Sequence, residues 1–216
     1  MFNITIKALS SFQTGKDFVS ATTETGNVEL ITLNKCFKRK FKNFGRLDKM
    51  SKAIAYALAP LLEKYGYYQK ELKKNTIHLF FSSEEACNHS DREYFNDFIQ
   101  YGETAGRANK FLYTLPTSPL GEASVHFGLT GRILFFSTTK NDFNTLFRLL
   151  HNSLTASTVE AECALGGIGR FVDNDPEVIF FLVHKKLADS SSLDKLMTEN
   201  FSFSDLKLKI INNSLI

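Results

Sequence analysis

Ser137-Thr138-Thr139-Lys140 is the segment best placed to do chemistry. It follows Gly131-Arg132-Ile133-Leu134-Phe135-Phe136, which reads as a buried strand, and it precedes a helical pattern. A strand that turns sharply into a helix is a natural seat for a nucleophile, because the helix N-terminus lowers a thiol's pKa and stabilises an oxyanion. Here the junction carries Lys140. An ammonium group opposes the helix dipole and cannot serve as a thiolate. The setting of a nucleophile site is present without the nucleophile. An activated lysine, its pKa lowered by the dipole and apolar neighbours, is physically possible. No acid or base motif accompanies it, and the plain alternative is a surface lysine at a turn.

Other chemistries find less support. Cys36, Cys87 and Cys163 form no CxxC pair and no metal spacing with the five histidines, so no zinc site is expected. Gly102, Gly106, Gly121, Gly128 and Gly131 make no GxGxxG or Walker pattern, and there is no GxSxG elbow. No cofactor and no metal are expected.

The elements that must hold the junction can be read from periodicity. Residues 2–9 and 28–33 read as short strands. Met50, Ile54, Ala57, Leu58, Leu61 and Leu62 recur at helical spacing, with Gly66 as the C-cap. Pro60 lies inside this pattern and is expected to kink or divide it. Residues 76–82 form a strand with both faces covered, and 91–101 a helix. Residues 102–118 read as a loop around Phe111-Leu112-Tyr113. Leu120 to Phe127 reads as a helix ending at Gly128, followed by a strand over 132–138 and a helix over 141–154. In that helix Phe143, Leu146, Phe147, Leu150 and Leu154 make one apolar stripe, opposite a polar face of Asn144, Arg148, His151 and Asn152. Glu160–Leu165 reads as a strand closed by Gly166-Gly167, and Val178–Val183 is the strongest strand signal. Leu193–Met197 reads as a helical turn and Leu206–Ile211 as a last strand. Strands alternating with helices predict one layered α/β domain over 1–216, with a mixed or mostly parallel sheet.

Composition narrows the function classes. A hydrophobic fraction of 43% and 21 phenylalanines supply a full core, and a net charge of +3 does not by itself mark a nucleic-acid binder. The sparse, odd cysteine count fits a reducing compartment. The alternating N-terminus lacks the pattern of a signal peptide, and no run reaches the roughly 20 apolar residues of a membrane helix. The expected location is cytoplasmic.

The stretch Phe111-Leu112-Tyr113-Thr114-Leu115-Pro116 through Phe127-Gly128-Leu129-Thr130-Gly131 resembles the β-ketoacyl synthases. In that family an aromatic segment, an LPN turn, a short helix and an FGLRG turn lead into the active-site strand. Arg46-Leu47-Asp48-Lys49-Met50-Ser51-Lys52 resembles the family's RLDRMSR helix start, and Ala164-Leu165-Gly166-Gly167 its AGG strand end. The likeness spans roughly 45–170. Where the family reads STAC, this chain reads Ser137-Thr138-Thr139-Lys140, so Lys140 falls on the nucleophilic cysteine. The resemblance also implies that the second half of a ketosynthase, which carries two decarboxylation histidines, is not in this chain. None of His78, His89, His126, His151 and His184 sits in a matching motif. Half-length, cysteine-less relatives resemble chain-length-factor subunits, known from aryl-polyene and related polyketide systems.

The resemblance therefore implies a single N-terminal half of a thiolase-like fold, a mixed sheet between helical layers. It implies a non-catalytic partner of a full-length β-ketoacyl synthase in a heterodimer, working with acyl carrier protein and shaping the acyl channel in polyene, polyketide or fatty-acid-type elongation. The Phe111–Leu115 loop falls at the dimer interface beside the channel, and Lys110 and Phe111 fall where residues reach the partner's channel and limit chain length. The alternative for Phe111 and Tyr113 is an ordinary place in the core. The strand Ile133–Ser137 would be an edge strand, including Ile133, Phe135 and Ser137. Its apolar character makes a bare edge hazardous, so it is expected to pair antiparallel with a different chain. The basic stretch 35–52, with Lys38, Arg39, Lys40 and Lys42, is a candidate dock for the acidic carrier protein, against the alternative of a solvated basic loop. The competing function is an acyltransferase or hydrolase using Ser137, Thr138 or Lys140 on an acyl thioester. A third reading is a structural homodimer.

Overall fold

The computed structural model describes residues 2–13, 18–23, 28–102, 108–137, 143–156, 161 and 163–187. Among these residues seven strands form one sheet: β1 (Phe2–Gln13), β2 (Phe18–Thr23), β3 (Val28–Thr32), β4 (Ile77–Ser83), β5 (Ile133–Phe136), β6 (Cys163–Val172) and β7 (Asp175–Leu187). Their order is β3-β2-β1-β7-β6-β4-β5. β4 runs parallel to β5 and β6, whereas β7 is antiparallel to both β6 and β1. The predicted mixed sheet is therefore present, extended on its far side by the antiparallel β2 and β3.

Helices cover both faces. α1 (Lys49–Lys64) and α4 (Ser118–Phe127) pack on one side, and α5 (Phe143–Thr155) packs on the other. The alternation of β4 explains the two cores. Ile77, Leu79 and Phe81 point into the α1 side, and Phe80 points into the α5 side. All seven residues of β4 are buried, as its nearly unbroken apolar run predicts. α5 buries its expected stripe, while Arg148 and Asn152 stay exposed.

α1 starts where Asp48 caps it, its Oδ1 accepting from the Ser51 N–H at 2.8 Å. It ends at Gly66, whose φ of 75° suits glycine. Pro60 does not divide the helix, which runs on to Lys64 with Pro60 buried. α4 ends at Gly128 as expected, with φ 72°.

Two expectations are corrected. Gly166-Gly167 does not close a strand, because β6 runs through both to Val172. The glycines are there for packing. A Cβ on Gly166 would lie 2.5 Å from the Leu150 side chain, and one on Gly167 2.2 Å from Phe180. The hairpin turn comes later, at Asp173 and Asn174, both at positive φ. That pair is the turn chemistry of a two-residue hairpin. The second correction lies in the 102–118 segment, where Ala108–Leu112 forms a short helix, α3. Lys140, Thr138, Thr139, Leu193–Met197 and Leu206–Ile211 lie outside the described residues.

Candidate functional site

β5 ends the sheet, with β4 on one side and no strand on the other among the described residues. Its four residues are apolar, and Ile133 and Leu134 are 41% and 39% exposed. The edge implied by the resemblance is therefore present among the described residues, and the buried strand read from the apolar run is corrected: as the last strand of the sheet, β5 leaves Ile133 and Leu134 exposed. Phe135 turns inward and packs near Phe81, ring centroids 6.4 Å apart. Ser137 follows β5, exposed, its hydroxyl donating to the Glu84 carbonyl at 3.4 Å.

The motif before β5 has a physical explanation. A Cβ on Gly128 would meet the Lys73 carbonyl at 2.2 Å, and one on Gly131 would meet the Ile77 carbonyl at 2.3 Å. Between them, the Thr130 N–H donates to the Asn75 carbonyl and the Asn75 N–H donates to the Gly128 carbonyl. The FGLTG turn is thus pressed onto the backbone that enters β4, which fixes where β5 begins.

A cleft opens beside the C-terminal ends of β4 and β5, the usual ligand end of parallel strands. It is a narrow crevice between Phe81, Phe135, Tyr113, Met50, Cys87 and Phe171, with room for about one water molecule. At its rim Asp48 Oδ2 accepts from the Ser90 hydroxyl at 2.8 Å. Cys87 donates to Asp91 at 3.4 Å. Burial and that carboxylate push the thiol up to about 11, so it stays protonated at neutral pH. Burial, helped by Glu122 and Asp48, pushes Tyr113 up to about 12.

The aromatic segment divides between core and surface. Tyr113 is buried with Phe41, Leu47 and Ala55. Phe111 is 54% exposed and touches Tyr94, and Leu112 and Leu115 are exposed. Lys110 is tied to Asp97 at 2.9 Å, which orients α3 against α2 (Asn88–Tyr101). Of the basic residues, Lys40 and Lys42 are exposed and Lys38 pairs with Glu63. Arg39 is committed within the chain. Its guanidinium donates to the carbonyls of Gln69, Glu71 and His126 and lies 5.0 Å from the Tyr68 ring. His126 stacks on Phe41 and bonds the Tyr68 hydroxyl at 2.8 Å.

The structure adds a surface that sequence reasoning did not single out. On α2 the only buried residue is Ser90. Phe95, Phe98, Ile99 and Tyr101 are exposed, Ile99 by 67%. Phe111 and Leu112 on α3, and Leu115 after it, are exposed as well, and the two helices meet where Phe111 touches Tyr94. The signal was the spacing of Tyr94, Phe95, Phe98 and Ile99, one stripe of a helix. Exposed apolar patches of this kind mark interaction sites.

No protein-family model and no curated protein matches the chain. Solved structures do. A chain of the ketosynthase ApeO in complex with its chain length factor ApeC, from Xenorhabdus doucetiae, is similar at a TM-score of 0.61 and 13% identity, over 99% of this chain and 91% of that one. A chain of the ishigamide ketosynthase/chain length factor is similar at a TM-score of 0.54 and 10% identity, over 84% of this chain and 62% of that one. No helix among the described residues is long and apolar enough to cross a membrane. At these identities the likeness is one of fold: the chain shares the α/β fold of these ketosynthase and chain-length-factor structures.

Proposed function

We propose that this chain is a non-catalytic, chain-length-factor-like subunit that pairs with a β-ketoacyl synthase in the cytoplasm and forms one wall of its acyl channel. The observation that carries the reading is the apolar edge of β5, taken together with the outward aromatic residues of α2 and α3, in this fold. A free edge of four apolar residues calls for a covering strand, and clustered exposed aromatics are what interfaces use as anchors. Lys110, Phe111, Tyr113, Leu115, Ile133, Phe135 and Ser137 are the proposed channel and interface residues. The small cleft fits a wall better than a container, since a long acyl chain would need space supplied by the partner.

The mechanism is steric. Bulky side chains at the far end of a shared tunnel limit the longest chain that fits, because overpacking costs about 1–3 kcal/mol. Catalysis belongs to the partner. The thiol at the cleft is held protonated, and Lys140 replaces the family's cysteine in the sequence. Acyl carrier protein would approach on Lys40 and Lys42, with Lys38 and Arg39 already engaged by Glu63 and by backbone carbonyls. Polyene or polyketide elongation is the proposed setting. The test is reconstitution with a ketosynthase and a carrier protein. Phe111→Ala should lengthen or broaden the products; unchanged product length would remove this segment from the mechanism.

A further inference from the structure

β5 starts with one bond from a side chain. The Arg132 N–H donates to His78 Nδ1 at 2.9 Å. Next to it the Leu79 N–H donates to the Arg132 carbonyl at 2.8 Å, and the paired register then begins at Leu79 and Ile133. Gly131 makes room for this contact, since a Cβ there would lie 2.7 Å from His78 Nδ1. His78 is 4% exposed, with its ring 6.0 Å from that of Phe80. A backbone N–H can only donate. Nδ1 must therefore hold a lone pair, and the proton of the neutral ring sits on Nε2.

We propose that neutral His78 is the positioning residue that sets the start of edge strand β5, and that protonation of its ring releases that start. The proton taken from solvent goes to Nδ1. Two donors, Nδ1–H and the Arg132 N–H, then face each other at a distance made for a hydrogen bond. The peptide cannot easily turn away, because Gly131 is pressed against the Ile77 carbonyl.

The charges around the ring act in the same sense. Arg132, at the start of β5, repels the imidazolium; burial and this cation hold His78 below the ordinary histidine range. Its own strand carries no other titratable group. On α5, Arg148 is exposed and His151 lies half-buried in the last turns. On β6, Cys163 belongs to the core on the opposite face of the sheet. For partner binding the consequence is an interface that weakens in acid. That consequence rests on the proposed function, whereas the positioning role is tested on the chain alone.

The test is nitrogen–proton NMR of the histidine-labelled chain, with hydrogen exchange of the β5 amides, from neutral to acidic pH. The expected result is the Nε2–H tautomer at neutral pH. The Arg132, Leu134 and Phe136 amides, which point toward β4, should lose protection on the order of tenfold as His78 titrates, the scale of one lost hydrogen bond. His78→Asn keeps an oxygen near the Nδ1 position and cannot titrate; it should retain protection and lose the acid step. His78→Leu should expose β5 at every pH. An Nδ1–H tautomer, full β5 protection in a folded His78→Leu chain, or an unchanged acid step in His78→Asn would overturn the proposal. Should the variants fail to fold, the tautomer and the matching of the two midpoints in the unaltered chain decide it.

Discussion

Two regions of the molecule obey opposite rules. The junction from Gly128 to Arg132 is determined from inside the chain, by backbone pressed against backbone and by the hydrogen bonds of Asn75 and His78. The α2–α3 surface is the reverse. Its ion pair joins a half-buried Lys110 to a nearly buried Asp97, and its aromatic residues are turned out. The first region spends its sequence on the fold. The second spends apolar residues where the fold gains little from them, which is the mark of a surface that meets something else.

The sharpest way to break this contrast is in the junction. Gly128→Ala should destabilise the chain by roughly 3 kcal/mol or more, since the new Cβ meets a carbonyl and the backbone sits at positive φ. Denaturant unfolding measures it. A loss within the range of ordinary surface changes would mean the junction is not under the constraint described.

Acid offers the next largest effect. Burial and Arg39 hold His126 down to about 4. The folded value lies below the ordinary 6.5, so the unfolded chain binds the proton first. Stability is complete above about 6.5 and falls as pH drops toward 4, by on the order of 3 kcal/mol. Unfolding curves at a series of pH values should show this, and His126→Asn should flatten it. An equally steep curve in that variant would place the acid sensitivity elsewhere.

The other region predicts the smallest change in stability. Phe95→Ser and Ile99→Ser should move it by no more than about 0.5 kcal/mol, as exposed positions do, while weakening association with a ketosynthase by roughly tenfold or more. A large loss of stability with association intact would make the α2 surface part of this chain's own packing.

How much was legible in the sequence follows the same division. β4, α1 and α4 were readable because their apolar residues pack within the chain and the pattern states the period; the edge position of β5 came from the family resemblance, since its apolar run alone reads as a buried strand. Gly166-Gly167 was misread as a strand end because a glycine looks alike whether it turns the backbone or makes room for Leu150 and Phe180. α3 was hidden by its five-residue length and the small, polar residues before it. The outward stripe of α2 has the spacing of any amphipathic helix, and spacing does not say which side the core lies on. At the candidate site, Phe111 and Tyr113 are near neighbours in sequence, yet one is on the surface and the other in the core. Arg39 reads as one more basic residue until three carbonyls are seen to converge on it.

The central claim is that the β5, α2 and α3 face is completed by a ketosynthase. Light scattering of the chain co-expressed with a full-length β-ketoacyl synthase tests it most directly. The account predicts a stable one-to-one complex that is lost in the Phe95→Ser, Ile99→Ser double variant. A chain that stays apart from the synthase, or that turns over an acyl thioester by itself, would contradict it.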